Sequence, residues 1–151
     1  MVRLLTIPSW AIACDDTWVW PSWDIHPCYI TVKKKYTYID SIRLWLLNGP
    51  VTLIFELYDG DTLIAKKTIE TTTGYYATPW FRLGFLIPEI NKPYKLVLTH
   101  IGSNVSTIAN IYEDEYVKIR PVQEGRKDNF IYGMKLIKLS KPFRQVLKPF
   151  R

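Results

Sequence analysis

With 151 residues, 48% of them hydrophobic and 15% aromatic, the chain is long enough to build one domain around a core and too apolar to be disordered. Its net charge of +6 is concentrated: residues 126–151 hold eight Lys/Arg against the single acid Asp128, whereas residues 1–125 hold 12 basic and 13 acidic side chains. Charge placed this way points to an anionic partner at the C-terminal end, and the absence of a run of roughly 18 apolar residues argues against a membrane-spanning helix.

The chain starts with a short apolar stretch after Arg3 that has some features of a secretion signal, but Pro8 and Ser9 interrupt it. Residues 1–35 form an aromatic-rich N-terminal segment with four of the six tryptophans, Trp10, Trp18, Trp20 and Trp23. In an extended Trp18-Val19-Trp20 both indoles lie on one side, so Trp18, Trp20 and Trp23 are the candidate ligand-binding residues, able to stack on sugar rings or bases. The competing use of the same rings is to close an open edge or end of the fold. Cys14 and Cys28 are compatible with a short-range bridge or with two buried thiols. His26 and His100 are the chain's two histidines, and neither belongs to a Cys/His spacing of a zinc site. No metal and no cofactor is expected.

From Tyr36 to Leu47 the pattern predicts a strand, with Ile42, Leu44 and Leu46 on one side and Ser41, Arg43 and Trp45 on the other, ended by Asn48-Gly49-Pro50. Val51 to Ile69 reads as a hairpin. Val51, Leu53, Phe55 and Leu57 alternate with more polar residues, Asp59-Gly60-Asp61 turns, and Leu63, Ala65 and Ile69 return on one face. Five further strands are predicted at 80–85, 94–99, 107–112, 116–120 and 130–139, separated by Pro88, Pro93, Gly102, Pro121 and Gly125. Two acidic runs, Asp59-Gly60-Asp61 and Glu113-Asp114-Glu115, carry oxygen ligands of the kind calcium needs, without the spacing of a known calcium loop; both are read as turns.

Short strands at regular spacing predict an all-β fold, an antiparallel β-sandwich of jelly-roll-like type, occupying residues 1–139 as one domain. The order of elements resembles the jelly-roll modules of the galactose-binding-like, carbohydrate-binding type. The resemblance runs from Ile39 to Leu139 and includes the Lys92-Pro93-Tyr94-Lys95-Leu96-Val97-Leu98 strand. It implies either glycan binding or, since viral shells share the architecture, assembly.

Residues 140–151 form a basic C-terminal segment containing Lys-Pro-Phe-Arg twice. Ser140 and Pro142 suit the start of a short helix on which Phe143, Leu147 and Phe150 form a docking stripe. Lys141, Arg144, Lys148 and Arg151 then make a basic partner face, and an extended arm is the alternative. No nucleophile elbow surrounds any serine, so no catalytic residue is assigned and the protein is read as a non-enzyme. The expected function is a non-catalytic structural or assembly protein of the virion capsid, spike or filament-subunit type, with itself or another structural protein as partner. The alternatives are a carbohydrate-binding module using the early tryptophans and a nucleic-acid-binding protein using the basic end. Only Gln123 and Gln145 represent glutamine, a composition that favours a heat-adapted source.

Overall fold

A computed structural model describes residues 2–6, 23–46, 50–71, 76–102, 105–109, 111–123 and 125–139, with backbone alone for 2–6, 76–77 and 138–139. The described residues form twelve strands and no helix: β1 (Val2–Thr6), β2 (Ile25–Val32), β3 (Thr37–Arg43), β4 (Trp45–Leu46), β5 (Val51–Asp59), β6 (Thr62–Thr71), β7 (Tyr76–Ala77), β8 (Phe81–Leu86), β9 (Tyr94–Ile101), β10 (Tyr112–Glu113), β11 (Val117–Pro121) and β12 (Gly133–Leu139). Among them there is accordingly no helix long and apolar enough to cross a membrane. The basic C-terminal segment with its expected helix or arm, and Trp10, Cys14, Trp18 and Trp20, lie outside the described residues.

The expected all-β antiparallel sandwich is present. One sheet has the order β1-β12-β3-β8 and the other β10-β11-β2-β9-β5-β6, with a small β4-β7 pair beside them. All pairings are antiparallel. The core fills the space between the sheets: Ile30 and Val32 of β2, Ile39 and Ile42 of β3, Leu53, Phe55 and Leu57 of β5, Leu96 and Leu98 of β9, and Met134 and Leu136 of β12 are all buried. Phe55 meets Phe130 with ring centroids 6.3 Å apart, tying the six-stranded sheet to the segment that leads into β12.

The β5–β6 hairpin follows the predicted alternation, and Gly60 supplies the positive φ of 58° at the turn. One side chain departs from expectation. Leu57 pairs with Ala65 but Tyr58 pairs with Leu63, so Ile64 is an extra residue in β6. This bulge reverses the facing of Leu63, which is exposed with Tyr58's face rather than inward with Ala65 and Ile69. A similar irregularity divides the predicted 36–47 strand. Its inward side changes parity between Ile39 and Ile42, both buried, so Ser41 is buried with them, and past Arg43 the chain leaves to pair β4 with β7. The predicted 107–112 strand is reduced to a bridge between Ile108 and Asn129 and to the two-residue β10.

Within the aromatic-rich N-terminal segment, β2 is an interior strand that the sequence pattern did not announce. Proline is disfavoured in such a position because it cannot donate to the ladder. The register shows how Pro27 is tolerated. Pairing of β2 with β11 stops at Cys28, opposite Pro121, while β9 continues to Ile25, so at Pro27 the strand has a paired neighbour on one side only.

Candidate functional site

The period of two along a strand puts His26 on the same face of β2 as Cys28, Ile30 and Val32, and His100 on the same face of β9 as Leu96 and Leu98. Both histidines therefore point into the sandwich. The register places His26 opposite Leu98, making His100 its diagonal neighbour. Their rings stack with centroids 5.1 Å apart and planes 5° from parallel, and Nε2 of one lies 3.1 Å from Nε2 of the other. His26 is fully buried and His100 is 2% exposed.

Asp128 completes the cluster from the loop before β12. That loop is fastened to the segment after β9: Ile108 and Asn129 exchange backbone hydrogen bonds at 3.0 and 2.9 Å, and the Thr107 hydroxyl donates to Lys127 O at 2.6 Å. The fully buried Asp128 carboxylate receives three donors. Trp23 Nε1 donates to Oδ1 at 2.8 Å, His26 Nδ1 lies 3.2 Å from the same oxygen, and Arg126 Nε forms an ion pair with Oδ2. Oδ2 has no other partner and no well-aligned hydrogen bond, so the ion pair alone compensates its charge.

These contacts assign the protons. A carboxylate only accepts, so His26 carries its proton on Nδ1, its Nε2 is bare, and His100 Nε2–H donates to it. The result is a directional chain from His100 through His26 to Asp128. Burial holds His26 down at about 4; the hydrogen bond to Asp128 opposes this, and the neighbouring His100 reinforces it. The His26 ring is thus neutral near pH 7, and the Asp128 carboxylate beside it is paired with Arg126.

In a hydrolytic triad the acid orients one histidine nitrogen and the other faces a nucleophile. Here the second nitrogen faces His100. Cys28, two residues along the same face, is a buried free thiol, and burial together with the Asp128 charge raises its pKa further, which disfavours the reactive thiolate. Among the described residues no group of three or more His, Cys, Asp or Glu is arranged to hold a metal ion. A surface cleft of about 350 Å³, formed by Pro50, Val51, Thr52, Glu70, Thr71 and Ile101, is lined by neither histidine. The cluster's chemistry is to join β2, β9 and the 126–128 loop through one polar network at the end of the core.

Trp23, one of the three candidate ligand-binding tryptophans, covers this network and is 38% exposed. Its N–H is held by Asp128, and the Arg126 guanidinium sits over its ring, 5.2 Å from the centroid. Both acidic runs form turns. Asp59 pairs with Lys92 at 3.0 Å beside the hairpin, Glu113 pairs with Lys33 at 2.5 Å, and Asp114 Oδ1 accepts from the backbone amides of Tyr116 and Val117. The sequence pattern picks out the two histidines separately but gives no role to Asp128 or Arg126, because a sequence separation of 102 between His26 and Asp128 leaves no local spacing to read. No protein-family model matches the chain, and no curated protein matches it significantly.

Proposed function

We propose that the protein is a non-catalytic β-sandwich structural protein, of the capsid, spike or filament-subunit type, that associates with copies of itself or with another structural protein through a sheet edge. The observation that carries this reading is β6. It is ten residues long, and among the described residues it pairs only with β5. A strand with one unpaired row of backbone groups is a template for another strand. Its first turn of sequence displays Leu63 and Ile64 at 44% and 39% exposure, and the bulge at Ile64 sets them out from the core. Lys66 and Lys67 lie exposed in the middle of the strand and oppose indiscriminate pairing, which favours a partner edge that brings carboxylates.

The buried cluster supports the non-catalytic part of this reading. Its titratable groups are occupied by one another, and its thiol is withheld from solvent. Light scattering coupled to size-exclusion over a concentration series tests the proposal. Concentration-dependent association that is lost in a Leu63→Lys/Ile64→Lys double variant is the expected result. A strict monomer up to millimolar protein overturns the reading.

A further inference from the structure

The outer side of the four-stranded sheet carries a second concentration of chemistry, distinct from the buried histidines. Arg43 ends β3, Trp45 opens β4, Trp80 precedes β8, Tyr132 precedes β12, and Lys135 lies within β12. The backbone fixes how they meet. Arg43 Nε donates to Thr78 O at 2.8 Å, and Thr78 N donates to Leu44 O at 3.0 Å, which fastens the 78–80 segment to the end of β3. Tyr132 N donates to Arg43 O at 2.9 Å and fastens the start of β12 to the same residue.

The side chains then form a continuous alternation of cation and ring. Lys135 Nζ lies 4.4 Å from the Trp80 ring centroid, the Arg43 guanidinium carbon 5.2 Å from the same ring and 6.0 Å from Tyr132, and Tyr132 packs on Trp45 at 5.1 Å with a 53° tilt. All five side chains are partly exposed. Among the described residues neither Arg43 nor Lys135 has a carboxylate within ion-pair distance, whereas Lys33, Arg82, Lys92 and Arg126 each do. Among the described residues the positive charge of this face therefore has no carboxylate against it, and it is interleaved with aromatic rings.

We propose that this face binds single-stranded nucleic acid, with Arg43 and Lys135 on backbone phosphates and the rings of Trp80, Trp45 and Tyr132 receiving unstacked bases. Charge complementarity selects an anionic occupant, and the rings select among anions. An acidic polypeptide would satisfy the cations but gain nothing from three aromatic faces. A neutral glycan would find no carboxylate or amide side chain in the ladder to accept from its hydroxyls. A duplex keeps its base faces stacked on each other, so only unpaired bases reach the rings. In the unbound state the cations rest over the rings; on binding they move to phosphate as bases take the ring faces. None of the five residues of this site belongs to the basic C-terminal segment, which lies outside the described residues, and the proposal does not depend on the β6 edge.

The test uses the full chain and fluorescence anisotropy with a labelled oligothymidylate, an abasic oligonucleotide of the same length and poly-glutamate. Each stacked base is worth roughly 5- to 150-fold in affinity, so the oligothymidylate should bind at least about fivefold more tightly than its abasic counterpart. Each phosphate contact contributes about 0.7 to the slope of log affinity against log salt, so Arg43→Gln/Lys135→Gln should lower that slope by about 1.4. Circular dichroism checks the fold of the double variant. If loss of the Arg43–Thr78 bond unfolds it, Lys135→Gln alone should lower the slope by about 0.7. The proposal is overturned by equal affinity for the abasic strand, by poly-glutamate binding as tightly, by no binding at low salt, or by a salt slope that the folded variants leave unchanged. An unchanged slope would transfer the binding to charge elsewhere in the chain.

Discussion

Acid should weaken this fold through His26, and the size of the effect follows from the buried cluster. In the unfolded chain His26 takes a proton as the pH falls through about 6.5; in the folded protein, burial delays this until about 4. Between those values the unfolded state binds more protons, so stability falls as the pH falls, and the contribution of neutral His26 is fully present only above about 6.5. At about 1.4 kcal/mol for each tenfold change in proton concentration, the loss is about 3 kcal/mol by about pH 4 and levels off at about 3.5 kcal/mol below it. The groups that face the ring explain why the proton is unwelcome. Asp128 would gain from it, but His100 already points an N–H at His26 Nε2 from 3.1 Å, Arg126 is close, and Cys28 and the core exclude water. A proton on Nε2 sets two donors against each other until His100 changes tautomer. Urea unfolding followed by tryptophan fluorescence between about pH 7 and about pH 4 measures the loss. The control is His26→Asn, whose amide can still donate to Asp128 but does not titrate. The wild type should lose about 3 kcal/mol more than this variant over the range. Parallel curves for the two proteins, or a ring titration near 6.5 by NMR, would refute the reasoning.

Two substitutions test the remaining physical claims by chemical denaturation. Asp128→Ala leaves the donors of Trp23, His26 and Arg126 without their shared acceptor and should cost about 3–5 kcal/mol, while Asp128→Asn, which keeps one acceptor oxygen but not the charge facing Arg126, should cost about 1–3 kcal/mol. Equal losses in the two variants would show that the retained acceptor oxygen contributes nothing beyond the charge. Gly102 and Gly60 both have positive φ, 112° and 58°, but a Cβ at Gly102 would lie 2.9 Å from Pro50 O whereas one at Gly60 meets nothing within 4 Å. Gly60→Ala should therefore cost only about 1–2 kcal/mol for its left-handed backbone, and Gly102→Ala should cost clearly more because the clash adds to it. A reversed order would disprove the steric account.

What the sequence disclosed depended on whether the information was local. The β5–β6 hairpin was legible because alternation and Asp-Gly chemistry both lie within about twenty residues, and the antiparallel sandwich followed from many such segments. The bulge at Ile64 was not legible, since an extra residue changes facing without changing composition, and that one insertion turns Leu63 from a core residue into part of an exposed edge. The strand β2 escaped for a different reason. Its inward residues begin with a histidine, and Pro27 interrupts it, so a strand flanked on both sides only from Cys28 to Ile30 reads as irregular unless it is known that its pairing with β11 stops at Cys28. For His100 a local clue did exist: counting by twos from Tyr94 through Leu96 and Leu98 reaches position 100, which makes its inward orientation readable, though not its partner. Asp128 offered no such clue, and as the lone acid in a basic run it had the composition of a solvated residue. The same distinction explains the aromatic residues. Four tryptophans close together in sequence announce a cluster, whereas Trp45 and Trp80 become part of one cation–ring ladder only after β3, β8 and β12 are placed side by side. The two polar assemblies of this protein are thus products of strand order, and their opposite exposure gives them opposite uses. The buried one spends its charges on its own structure, and the exposed one leaves Arg43 and Lys135 without a carboxylate among the described residues.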